Sequence, residues 1–129
     1  MLDFLIVFLG AGLGGAARHG VNVAVLRLGL TAFPVGTLAV NVLGSFLMGL
    51  LAEYFASRAH LPQHWRLLLA TGVLGGFTTF SAFSLEAVAL IERGALGQAG
   101  AYVALSVGAS LVALAAGAAL ARGLAGSAA

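Results

Sequence analysis

Four apolar stretches, each long enough to cross a bilayer, take up nearly all of this 129-residue chain. A lipid-crossing helix needs about 20 mainly apolar residues at ~1.5 Å rise each. Short punctuated breaks divide the sequence into spans at about 2–25, 33–55, 65–92 and 96–120, which together make a single transmembrane domain over 1–129. Six cationic and four acidic side chains amount to 8% of the residues, against roughly a quarter in soluble domains. Too little charge is present to coat a globule, so a soluble enzyme or binding domain is excluded and an all-α membrane protein is expected. The chain has no Cys, which removes disulfides, thiolate nucleophiles and Cys-ligated metals. All six cations are Arg, and no basic run could follow a phosphate backbone, so nucleic acid is not a partner. Asp3 stands where a signal peptide would carry basic residues, and the first stretch is therefore expected to persist as a span.

The breaks are made of identifiable residues. Arg27, Gly29 and Pro34 separate the first two spans, and the stretch from Arg58 to Arg66, with His60, Pro62, Gln63 and His64, forms the most polar loop. Trp65 is a candidate interfacial anchor at the start of the third span. The middle of that span, Gly75-Gly76-Phe77-Thr78-Thr79-Phe80-Ser81-Ala82-Phe83-Ser84, suits a single uninterrupted helix poorly. It reads either as a true break, exposing carbonyls that could hold a small cation, or as a kink repaired by Thr and Ser side chains. Gly10 with Gly14, and Gly72 with Gly76, permit close helix approach, as ordinary packing contacts or as part of a dimer surface.

Charge placement constrains orientation. If the spans alternate, Arg58, Arg66 and Arg122 lie on one side and Arg18, Arg27 and Arg93 on or near the other. Basic residues in short loops normally fix topology, and three against three leaves no bias. A chain of this kind can insert both ways and form an antiparallel, dual-topology homodimer, the more so because four helices leave little room for a polar path within one subunit.

Polar groups inside spans tend to face a bundle interior or a water-filled cavity. Thr37, Asn41 and Ser45 recur at i, i+4 and so form one stripe; Tyr102, Ser106 and Ser110 form a second. The first either lines a path or makes an interhelical bond, and the serines of the second either face a passing anion or bond their own i−4 carbonyls. Phe80 and Phe83 share a face, as do Phe77 and Phe80, and their positive ring edges suit the wall of a dehydrated anion path. Arg18 either snorkels to the headgroups or gives positive potential to a vestibule. Glu86 is the only serious candidate for a proton relay within a span, with a structural or vestibular role the more expected one. His19, His60 and His64 show no triad or metal-ligand spacing, which argues against an enzyme.

Gly14 and Arg18 in the first span, Gly36-Thr37-Leu38 with Val40-Asn41 and Gly44 in the second, and the run from Gly75 to Ser84 in the third resemble the CrcB/Fluc family of small fluoride channels. The resemblance covers all four spans in order. It implies an antiparallel homodimer in the bacterial inner membrane that passively exports fluoride and confers fluoride resistance. It implies a pathway lined by Asn41, Phe80 and Phe83, with Thr37, Tyr102, Ser106 and Ser110 as a polar track and Arg18 at the vestibule. It also implies a structural sodium ion at the dimer centre, held by the backbone carbonyls of Gly75 and Thr78. Phe77 stands where the family usually has Leu, and Ala82 where it usually has Thr, so one hydroxyl between the two phenylalanines is missing. The competing readings are a small dual-topology multidrug exporter, which would need a carboxylate inside the first span, where Phe4 to Val25 has none, and a non-transporting assembly protein.

Overall fold

The computed structural model describes residues 1–58 and 61–126; His60 lies outside the described residues. The described residues form five helices, α1 (Leu2–Arg27), α2 (Val35–Ser57), α3 (63–77), α4 (Phe80–Glu92) and α5 (Leu96–Gly126). α3 and α4 together make the third of four membrane-length spans, Gln63–Glu92. The middle of α3, Leu67–Leu74, is wound as a π-helix, a form that concentrates at functional sites. Thr78 and Thr79 are extended, at ψ 156° and 118°, and break the span in two.

Two glycines end the helices on one side of the membrane. Gly29 and Gly94 have φ of +72° and +74°, a conformation in which a side chain is strained. After α1, the Leu30 amide donates to Val25 O and the Gly29 amide to Leu26 O. After α4, the Ala95 amide donates to Leu90 O and the Gly94 amide to Ile91 O. Both patterns satisfy the last helical carbonyls and turn the chain back into the bilayer.

Glycine also decides which helices meet. A Cβ on Gly14 would strike the Val73 carbonyl, one on Gly10 would lie 2.7 Å from Leu68 O, and one on Gly76 would strike the Ala11 carbonyl. The pairs that could have served a dimer surface are therefore spent within the chain, seating α1 directly on the α3 backbone. Gly49 and Gly117 do the same reciprocally between α2 and α5, each admitting a carbonyl of the other helix, Leu114 O and Phe46 O. Lipid tails are as apolar as leucine, so this backbone approach and its dispersion contacts replace the hydrophobic drive that water would supply. A compact core of Phe83, Ala87, Leu90, Ala99 and Tyr102 joins α4 to α5. Large apolar residues such as Phe4, Phe8, Leu13, Leu85 and Leu111 are exposed, as a lipid-facing surface allows.

One end of the bundle is tied by charge. Arg122 pairs with Glu53 at 2.9 Å, and His64 lies 3.6 Å from Asp3. Arg66 donates to Phe55 O at 2.6 Å while stacking over the Phe55 ring, and Arg58 stacks over Tyr54. This end gathers Arg58, Arg66 and Arg122, whereas Arg27 and Arg93 close helices at the other. The alternation behind the balanced arginine count is thus present in the fold. One expectation fails: Phe77 and Phe80 share no face, because the extended Thr78-Thr79 pair between them abolishes the helical register. Phe77 is buried and Phe80 is 77% exposed.

Gly117→Leu should force α2 and α5 apart, since its Cβ would enter the Phe46 carbonyl. Overpacking of this kind costs at least about 1–3 kcal/mol. A lowered melting temperature and an aggregated elution profile in mild detergent are expected. Gly123→Leu, with nothing near its Cβ, should elute and melt as the unsubstituted protein does.

Candidate functional site

The break in the third span is held by one side chain. Asn41, in the middle of α2, donates from Nδ2 to Thr79 O at 2.9 Å and accepts from the Thr79 amide at Oδ1 at 2.8 Å. An amide side chain has the donor and acceptor of a peptide group, so Asn41 pairs with the Thr79 backbone as a neighbouring strand would. The Thr79 hydroxyl accepts from the Ala82 amide at 3.2 Å and so caps α4. Thr78 donates through both its amide and its hydroxyl to Leu74 O, at 3.0 and 2.9 Å. The third span is therefore truly broken, and the protein itself pairs both polar groups of the Thr79 backbone.

Among the carbonyls that lose their helical donors at the break are those of Gly75 and Thr78. In a continuous helix the Thr79 amide would donate to Gly75 O and the Ala82 amide to Thr78 O. Here Asn41 takes the first donor and the Thr79 hydroxyl takes the second. Gly75 is exposed beside the break.

Next to the break lies a groove of about 370 Å³ formed by α2, the start of α4 and α5. Asn41 and Ser45 face it from α2, Phe80 and Phe83 from α4, and Ser106 and Ser110 from α5. The two phenylalanine rings are 5.3 Å apart and tilted by 45°. The hydroxyl oxygens of Ser106 and Ser110 are buried with no hydrogen-bond partner among the described residues. Ser84 shows the other habit, donating to Phe80 O four residues back; Ser106 and Ser110 do not. Ser106 lies beside the Tyr102 hydroxyl without meeting hydrogen-bond geometry.

A second recess, about 270 Å³, lies between α1, the α1–α2 connection, α2 and α4, with Asn22, Thr31, Thr37 and Glu86 on its wall. Glu86 is linked to both helices around it. Thr37 donates to Oε1 at 2.9 Å and Tyr102 donates to Oε2 at 2.7 Å. The Tyr102 ring is wholly buried, edge-on to Phe33 and tilted against Phe83 at 5.4 Å. It forms a wall whose one face meets the groove's phenylalanine and whose hydroxyl meets the recess's carboxylate.

The two sequence stripes are thus divided differently from their spacing. Asn41 and Ser45 face the groove while Thr37 belongs to the recess; Ser106 and Ser110 face the groove while Tyr102 lines neither. Thr78 reaches the groove, and Arg18 is half-buried on α1 and lines neither space. Sequence reasoning singled out Glu86 as a relay, structural or vestibular carboxylate but did not place it with Thr37 and Tyr102. Its only signal was to be a carboxylate set well inside a span, because its partners Thr37 and Tyr102 stand 49 and 16 residues away.

Comparison with known proteins bears on what such a site does. The family described as CrcB-like protein, Camphor Resistance (CrcB), matches residues 5–118. A "Fluoride-specific ion channel FluC" of Granulibacter bethesdensis is 63% identical over 115 residues, covering 86% of this chain and 91% of the relative. One from Methylobacterium nodulans is 60% identical over 111 residues, covering 86% and 89%, and one from Rhodopseudomonas palustris is 55% identical over 106 residues, covering 82% and 86%.

Asn41→Ala would leave the Thr79 amide and carbonyl unpaired at about 1–3 kcal/mol each. A clear fall in melting temperature in detergent is expected. Ser110→Ala removes a hydroxyl that bonds nothing, so its melting temperature should match that of the unsubstituted protein. Equal melting of all three proteins would show that Asn41 does not hold the break.

Proposed function

This chain belongs to the CrcB/FluC family, and on that premise we propose that it is a passive, fluoride-specific channel through which fluoride leaves the cell, conferring fluoride resistance. It is a multi-pass protein of the bacterial inner membrane, and a channel rather than an enzyme. The observation that carries the reading is the groove in which Asn41, Phe80 and Phe83 meet two buried serine hydroxyls with no partner among the described residues. Buried polar groups are normally bonded, so these hydroxyls are the donors available to a dehydrated anion. Fluoride must shed tightly held water to enter. Several weak donors in series, with positive ring edges between them, replace that water without trapping the ion, which conduction requires. Thr37, Glu86 and Tyr102 continue the polar track beyond Phe83, with Arg18 supplying positive potential to a vestibule.

The channel works as an antiparallel homodimer. In one chain the groove lies open beside lipid, where unsatisfied polar groups are costly. The Phe80 ring at the groove and Gly75 beside the break are both exposed. A second copy would cover both, and the balanced arginines permit its inversion. The multidrug-exporter reading loses support, because its embedded carboxylate is missing from α1 and Glu86 already accepts two hydroxyl bonds.

A structural sodium ion belongs to the same proposal. The carbonyls of Gly75 and Thr78 suit a hard cation, because their helical donors have been taken by Asn41 and Thr79. When bound, the ion would supply positive charge that draws the two breaks of the dimer together.

Liposomes loaded with potassium fluoride should lose fluoride rapidly on addition of valinomycin, while those loaded with potassium chloride retain chloride, as read with ion-selective electrodes. Fluoride retention by folded protein would overturn the channel. Transfer to sodium-free choline buffer should lower the melting temperature of the dimer, and sodium chloride, but not further choline chloride, should restore it. A melting temperature indifferent to sodium would remove the ion from the proposal and leave the channel standing.

A further inference from the structure

We infer that the recess beside Glu86 is an aqueous mouth of the fluoride pathway and that Asn22 is the residue that meets the anion there. The inference rests on the channel reading above and adds to it a binding position on α1, a helix the groove does not use.

Asn22 is half-buried and makes no hydrogen bond to any described residue. It lies five residues before the end of α1, about 7.5 Å along the axis at helical rise. A side-chain amide at that depth is costly if it faces hydrocarbon unpaired, so the space before it holds water or a hydrated ion. The fold also makes room for it. Gly36 is buried because its missing Cβ leaves space for Asn22 Oδ1, which brings the amide against the α2 backbone one residue before Thr37.

On the same recess wall, Thr37 and Glu86 begin a chain of contacts that leads inward. Thr37 donates to one oxygen of Glu86 and Tyr102 to the other, and the Tyr102 ring rests on Phe83, which faces the groove. The recess is walled by α1, the α1–α2 connection, α2 and α4 of a single chain. Among its lining residues Glu86 is the only one carrying an ionisable group, and it repels an approaching anion. A neutral donor across from that carboxylate offers the anion a place without the tight hold that a guanidinium would impose. Asn41 cannot do this at the other end without releasing Thr79, whereas the Asn22 amide is uncommitted. Arg18, four residues earlier on α1 and so on the same face, adds positive potential behind it.

The absence of native Cys allows a direct test, since Asn22→Cys carries the only thiol in the protein. Reconstituted Asn22→Cys channels should react with a membrane-impermeant, negatively charged methanethiosulfonate. Fluoride efflux should then fall at least about tenfold from its value before modification, as expected when charge enters a narrow mouth. Ala24→Cys, at an exposed α1 position, should conduct equally with and without the reagent. In a second series, Asn22→Leu should slow efflux with an unchanged elution profile and melting temperature, and Asn22→Ser, which keeps a donor, should recover part of the loss. An unreactive thiol, a modified channel with undiminished flux, or an Asn22→Leu channel as fast as the unsubstituted one would each overturn the inference. Failure of the unsubstituted protein to conduct fluoride would instead sink the channel reading, so the two failures are told apart.

Discussion

The side chain of Asn41 takes the place of a peptide group in a membrane that supplies none, and the rest of the site follows from that pairing. Backbone amides and carbonyls inside a bilayer must find partners within the protein. A helix can stop at Phe77 and restart at Phe80 only because an amide on a neighbouring helix meets both polar groups of Thr79. Once the register is interrupted, α4 is free to begin with Phe80 and Phe83 facing α2 and α5 rather than continuing the face that Phe77 buries. Further along, the new direction brings Glu86 between Thr37 and Tyr102. The carbonyls of Gly75 and Thr78 are released by the same exchange of donors.

Glycine provides the second constraint. Where α1 meets α3 and where α2 meets α5, the helices touch backbone to backbone, and any side chain at Gly14 or Gly117 would enter a carbonyl. These contacts bind two pairs of helices firmly and leave the groove between α2, α4 and α5 without a lid of its own. In water such an opening would be hydrated at little cost. In lipid the same opening leaves polar groups at a cost, which is the ground on which a second copy is proposed to cover it.

Much of this was legible in the residues. The four membrane spans and an irregularity in the third follow from hydropathy and spacing, whereas the gathering of Asn41, Phe80, Phe83, Ser106 and Ser110 along one path was implied by the resemblance, whose motif from Gly75 to Ser84 pointed to the family that the comparisons establish. The face shared by Phe77 and Phe80 was misread, because periodicity holds only while a helix is continuous. Thr37 was grouped with Asn41 and Ser45 by the four-residue repeat, yet the structure gives it to Glu86. The relation of Asn22 to Gly36 was invisible in the sequence because the two lie on different helices.

The sequence by itself determined what must lie in the membrane and where a continuous helix fits poorly, because hydropathy, glycine content and i, i+4 spacing are local properties that each segment carries alone. Only the tertiary structure decided which partner each polar group received: Asn41 for Thr79, Thr37 and Tyr102 for Glu86, and none among the described residues for Ser106 and Ser110. Hydrogen bonds between helices depend on the angle and depth at which those helices cross, and these are set jointly by glycine contacts far from the polar residues themselves.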